Sequence, residues 1–122
     1  MSKHVLLWLL FAALLFSCRN TEIKLDDVDL DAWMRDPGGC GGLRAAFAEP
    51  LQRQREKLLR LDEAEVTHLL GKPDENELYV RGQKFYRYYL EPSPVCANAV
   101  DNARSLVIRF NAVGLSSEVY LE

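Results

Sequence analysis

The sequence predicts an α+β domain in which two helices pack on one face of a four-stranded antiparallel β-meander. Apolar residues recur at helical spacing between Leu43 and Leu70, and from Glu75 onward they alternate with polar ones, the period of a half-buried strand. Gly71 and Pro73 mark the change, since glycine closes a helix and proline prevents its continuation. Helices first and strands afterwards place the helices together on one face of the sheet.

The chain opens with an export signal. Lys3 precedes an apolar run from Val5 to Phe16, and Leu15-Phe16-Ser17-Cys18 then turns polar at Arg19-Asn20. The run is within reach of the roughly 7 to 15 residues of a secretory h-region and short of the about 20 that a spanning helix requires. Leu15, Ser17 and Cys18 fit a bacterial lipobox, and Phe16 stands where that pattern usually has a small or aliphatic residue. Residues 1–17 are therefore expected to be removed as a lipoprotein signal peptide, leaving Cys18 as the acylated first residue and membrane anchor. Three acyl chains hold far more firmly than one, at about 0.8 kcal/mol per buried methylene. Ordinary cleavage near Ser17, with Cys18 left as a thiol, is the alternative.

Removing residues 1–17 takes away Lys3 and no acid, leaving 14 basic against 18 acidic residues and moving the net charge from -3 to -4. An exported, acidic domain is no partner for nucleic acid. The remaining chain of about 105 residues makes one core of marginal size. With Cys18 acylated, Cys40 and Cys96 allow a single pairing in an oxidising envelope, and a Cys40–Cys96 disulfide is expected. Closing about 57 residues, it contributes roughly 4 kcal/mol in the chain-entropy model.

Residues 18–42 read as a lipid-anchored tether and Gly-rich lead-in. Leu30 and Trp33 dock back on the domain, and Asp31 is placed to cap a short helical turn through Arg35. Asp27, Asp29 and Asp31 have the spacing of a calcium loop, but Ala32 and Gly38 occupy the positions where an EF-hand needs glycine and glutamate. Pro37-Gly38-Gly39-Cys40-Gly41-Gly42 lacks the lysine and hydroxyl residue of a phosphate loop, since Leu43-Arg44 follows. It reads as a turn that lets Cys40 reach Cys96.

Residues 43–122 form the ααββββ domain. The first helix runs from Leu43 to about Leu59, with Leu43, Ala46, Phe47, Leu51 and Leu58 inward and Arg44, Gln52, Arg53, Arg55 and Glu56 outward. Pro50 requires either a kink or a helix that begins near Glu49. In the second helix, Asp62 and Glu65 form a capping box, Val66, Leu69 and Leu70 face the core, and Gly71 ends it. Four strands follow at about Leu78–Val80, Lys84–Leu90, Ser105–Asn111 and Leu115–Leu121, turning at Arg81-Gly82 and at Asn111–Gly114. The long excursion Glu91–Arg104 suggests function or a disulfide brace.

Alternation assigns Tyr86, Tyr88, Leu90, Leu106, Ile108, Phe110, Val119 and Leu121 to the helix-covered face. Phe85, Arg87, Tyr89, Val107, Arg109, Glu118 and Tyr120 fall on the other. Tyrosine and arginine dominate interface hot spots, so Phe85, Arg87, Tyr89, Arg109 and Tyr120 are candidates for binding a protein partner. The plainer reading is cross-strand pairing across a half-exposed sheet. Nothing names a reaction: His68 is the mature chain's one histidine, the cysteines are assigned to a disulfide, and Glu63 and Glu65 do not share a helix face. No catalytic residue, metal, cofactor or small-molecule substrate is therefore assigned.

The segment Leu61-Asp62-Glu63-Ala64-Glu65-Val66-Thr67-His68-Leu69-Leu70-Gly71-Lys72-Pro73-Asp74, with Tyr86-Arg87-Tyr88-Tyr89, Leu106-Val107-Ile108-Arg109-Phe110-Asn111 and Gly114, resembles the SmpA/OmlA-type lipoproteins. The resemblance covers residues 61–122. It implies a small outer-membrane lipoprotein with an ααβ-meander fold, shared in outline with the β-lactamase inhibitor protein, and an adaptor role in assembling outer-membrane β-barrels. The longer first helix, the Cys40 and Cys96 pair and the Glu91–Arg104 loop depart from that pattern. The expected function is thus a non-catalytic interaction module anchored in the cell envelope, with inhibition or binding of a periplasmic hydrolase as the alternative.

Overall fold

The computed structural model describes residues 22–122. The expected signal peptide, residues 1–17, and Cys18 lie outside the described residues. The fold is α+β, with short helices packed on one face of a four-stranded antiparallel sheet of order β1-β2-β3-β4. Helix α1 is Leu30–Met34, α2 is Ala48–Arg53 and α3 is Glu63–Leu70; the strands are β1 Glu75–Leu78, β2 Lys84–Tyr89, β3 Ser105–Phe110 and β4 Ser116–Leu121.

Helix α3 follows its sequence signals closely. Asp62 accepts from the Glu65 amide at 2.7 Å, the Glu65 carboxylate accepts from the Asp62 amide, and Gly71 closes the helix at φ 81°. The expected first helix is instead three short pieces. A 3₁₀ turn Arg44–Phe47 leads into α2, and another, Arg55–Leu58, follows it. Pro50 sits in the first turn of α2, where its missing N–H costs nothing, and the helix begins near the Glu49 position that proline allows. Asp29, rather than Asp31, caps α1 by accepting from the amides of Asp31 and Ala32.

The largest departure is Arg44, which is buried while Leu43 and Ala46 are exposed. Asp36, also buried, accepts from the amides of Gly41 at 2.6 Å, Leu43 at 2.8 Å and Arg44 at 3.1 Å. That anchoring turns the chain so that the Arg44 side chain enters the fold. Its guanidinium lies 4.5 Å from the centre of the Trp33 ring, donates to the Trp33 carbonyl at 2.9 Å and pairs with Asp74 at 2.8 Å. Asp74 also accepts from the amides of Gly38 and Tyr89. Among the described residues no buried side-chain nitrogen or oxygen lacks a partner.

Trp33 is fully buried and its indole N–H donates to the Leu70 carbonyl, so the lead-in supplies part of the core. Around it pack Leu51, Leu58, Val66 and Leu70 from the helical layer and Tyr86, Tyr88, Leu90, Leu106, Ile108, Phe110 and Val119 from the sheet, with Leu121 at the margin. These sheet residues are the set that alternation assigns to the covered face. The first strand begins three residues earlier than expected, at Glu75, because Glu75 pairs with Arg87 and Leu78 with Lys84. Val80 belongs to the turn, where Arg81 and Gly82 both take positive φ, the type I′ geometry that suits a hairpin's twist. The second hairpin turns at Asn111–Gly114, with the Gly114 amide donating to the Asn111 carbonyl and a register shift at Arg109/Phe110.

Cys40 and Cys96 form a disulfide spanning 56 residues of sequence. It fastens the Gly-rich turn to the Glu91–Arg104 loop, where the Ser93 amide also donates to the Gly38 carbonyl. Gly39 lies against the same loop at φ 70°, and a β-carbon there would fall 2.5 Å from the Glu91 carbonyl oxygen.

Asp74→Ala is expected to cost about 3 kcal/mol or more in urea unfolding, because it leaves the buried Arg44 guanidinium unpaired. Removing the disulfide by the double substitution of Cys40 and Cys96 to alanine should cost roughly 2 to 4 kcal/mol in the same assay, through the freed loop.

Candidate functional site

The sheet face away from the helices carries every candidate binding residue. Strand register arranges them in rows: Glu77, Phe85, Arg109 and Glu118 in one, Glu75, Arg87, Val107 and Tyr120 in the next, then Tyr89 beside Ser105. Phe85, Arg87, Tyr89 and Arg109 are half-buried, Tyr120 is exposed, and Val107 is fully buried beneath its neighbours.

Each arginine is held by groups on adjoining strands. Arg87 pairs through Nε with Glu75 at 3.2 Å, and through Nη1 with Glu122 and the Ser105 hydroxyl. Arg109 donates from Nε to Gln83 at 2.8 Å and reaches Glu118 at 3.4 Å. It also lies over the rings of Tyr79 and Phe85, which meet edge to face at 5.1 Å. Tyr89 donates to Glu75 at 2.7 Å. Partial burial and that carboxylate push the Tyr89 hydroxyl up to about 12, and burial with Glu122 raises Tyr120.

A cleft of about 350 Å³ opens at the edge of this face, between Arg87, Tyr89 and Glu122 on one side and Pro94, Val100 and Ala103 on the other. It joins the sheet face to the disulfide-braced loop. The candidate binding face and the Glu91–Arg104 loop are therefore continuous.

No protein-family model, curated protein or solved structure matches this chain.

Elsewhere, His68 is exposed on α3, and the disulfide consumes both Cys40 and Cys96, so neither is a thiol nucleophile. Among the described residues no group of three His, Cys, Asp or Glu side chains is placed to hold a metal ion. No described helix is long and apolar enough to cross a membrane. Sequence reasoning missed Glu75, Gln83, Tyr79 and Glu122, which hold the arginines in place. The signal was present at Glu75, two residues from Glu77, but no apolar alternation marks the strand that carries it.

On the covered side, Glu63 accepts from Tyr86 at 2.8 Å and pairs with Lys84 at 3.0 Å, and the Tyr86 bond followed by Lys84 holds its carboxyl below 4.5. Its contribution to stability is complete above pH 4.5 and is lost as the pH falls through the lower folded value. Glu63→Gln should flatten the acid limb of a stability–pH curve. At the alkaline end the sign reverses. Tyr86 and Tyr89 are both raised to about 12, so they favour the fold below their ordinary value of 10 and lose that effect as pH climbs toward 12. Ultraviolet titration of tyrosinate should show two hydroxyls ionising near pH 12, one of which disappears in Tyr89→Phe.

Proposed function

We propose that this chain is a lipid-anchored lipoprotein of the bacterial cell envelope acting as a non-catalytic protein-interaction module, in the manner of the SmpA/OmlA-type lipoproteins it resembles. The anchor is acylated Cys18, and the outer membrane is the address that the resemblance favours. The observation that carries the reading is the sheet face, where Phe85, Arg87, Tyr89, Arg109 and Tyr120 stand side by side on three strands. The Arg87, Tyr89 and Arg109 side chains are fixed by Glu75, Gln83, Glu118 and Glu122 before any partner arrives. Fixed aromatic and arginine groups lose little conformational entropy on binding, which is how hot spots are made. A partner that suits them is a folded envelope protein, with a barrel-assembly subunit as the specific expectation.

The cleft between this face and the Pro94–Ala103 stretch supports a second reading, a partner gripped by the loop as a hydrolase would be by an inhibitor. Exposed Pro94 lines it, and Val95, the next residue of the loop, is almost fully exposed.

Crosslinking in intact cells, with mass spectrometry of everything captured by the full-length protein, tests both. Recovery of barrel-assembly subunits that drops at least several-fold in Arg87→Ala/Tyr89→Ala supports the adaptor. Recovery of a hydrolase that is lost on substituting Pro94 and Val95, with the sheet face intact, supports the inhibitor. An unchanged capture profile in both variants defeats the interaction-module reading.

A further inference from the structure

The two hairpins end at the same edge of the molecule. Leu78 pairs with Lys84, Lys84 with Phe110 and Phe110 with Ser116, so the Val80–Gly82 tip and the Asn111–Gly114 turn lie side by side. Of the ten large apolar side chains exposed among the described residues, five are here: Leu78 at 78%, Tyr79 at 50%, Val80 at 62%, Val113 at 79% and Leu115 at 38%. Neither tip needs these residues for its turn, which the glycines and Asn111 supply. Apolar groups gathered at one end of a small domain mark a contact surface.

The length of the tether says what that surface meets. From Cys18 to Glu22 there are four steps along the chain, an extended span of at most about 14 Å. A domain of about 100 residues has a radius of gyration near 13 Å, so such a tether keeps it within about one radius of the bilayer. The tether also leaves from the side of the helical layer that borders β4. The Lys24 carbonyl accepts from Lys57 at 2.9 Å, and the next residue, Leu58, accepts at its carbonyl from the hydroxyl of Ser116. Ser116 is the residue of β4 that follows the second hairpin turn.

We propose that the paired hairpin tips dock on the membrane surface, seating Leu78, Tyr79, Val80 and Val113 among the lipid headgroups and upper acyl chains. The proposal rests on acylation of Cys18. The anchor makes docking intramolecular, so a small apolar patch suffices where it would fail alone. Arg60 and Arg81 flank the tips and make no ion pair with any described residue, while Asp62 and Glu77 lie beside them. With those charges balanced, the contact is apolar and a zwitterionic bilayer serves.

Tyr79→Trp in the full-length protein provides the probe. The variant is purified from membranes and reconstituted in phosphatidylcholine vesicles containing phospholipid brominated along its acyl chains. Trp33, buried in the core and bonded to Leu70, serves as an internal reference for folding. The added indole should shift to the blue and lose most of its emission to the bromines, while the unsubstituted protein is quenched little. Adding Val80→Glu and Val113→Glu should restore the emission. A probe that stays unquenched, in protein whose N-terminal peptide carries the acyl mass, overturns docking and leaves the lipoprotein reading standing; it is also the outcome expected if the tips bind a protein. An N-terminal peptide without acyl mass overturns both.

Discussion

The structure depends on how two carboxylates, one buried and one partly so, divide their work around one buried guanidinium. Asp36 gives both oxygens to backbone amides and so fixes the turn from Gly41 to Arg44, and Asp74 is left to neutralise Arg44. Removing Asp74 would strand the Arg44 guanidinium, where an unpaired buried ion costs several kcal/mol, and removing Asp36 would leave three backbone amides without their acceptor. The arrangement also spans layers. Arg44 belongs to the helical layer, stacks on Trp33 of the lead-in, and meets an aspartate that simultaneously accepts from Gly38 and from Tyr89 of β2. Through Asp74 the Gly-rich turn, the first helical turn and the second strand are set in one relative position. The disulfide then fixes the same turn to the Glu91–Arg104 loop.

That rigidity reaches the exposed face through Tyr89. Its amide is held by Asp74 on the inside and its hydroxyl by Glu75 on the outside, so its ring has one orientation. Glu75 also holds Arg87, and the rows continue across β3 and β4. On this face Arg87 and Arg109 are consequently outnumbered by the carboxylates of Glu75, Glu77, Glu118 and Glu122. It offers aromatic area and donors already in position, and a protein docking there must match arginines that are already paired or displace Glu122 from Arg87 and supply its own carboxylate.

Much of this was legible in the sequence where a local rule and the tertiary fold agree. Asp62 and Glu65 make the same capping box in any context, Asn111 and Gly114 make the same turn, and alternation from Tyr86 to Leu90 and from Leu106 to Phe110 sorted the covered face from the open one. Arg44 was not legible. Helical periodicity sends charge outward, and only Asp36, eight residues earlier, and Asp74, thirty residues later, make the interior acceptable. Pro50 showed that the helix could not be simple but not that Gln54, whose side chain bonds the Asp26 backbone, would end it so soon. At the open face the sequence supplied the arginines and aromatics, and not Glu75 or Gln83, because Glu75-Asn76-Glu77 shows no apolar alternation.

The proposed orientation at the membrane gives the two ends of the sheet different neighbours. A six-residue strand extends about 20 Å, so with both hairpin tips at the bilayer the disulfide-braced loop stands that far above it. The strands then run away from the lipid, and the row holding Phe85 and Arg109 lies nearer the surface than the row holding Arg87 and Tyr120. A partner that covers the whole face must itself rise from the membrane beside the domain, as an integral or anchored protein does. One that uses only the cleft between Arg87 and Val100 can arrive from solution. The depth at which a crosslink forms along β2 therefore separates an assembly adaptor from an inhibitor, because the same strand presents Phe85 to one kind of neighbour and Tyr89 to both.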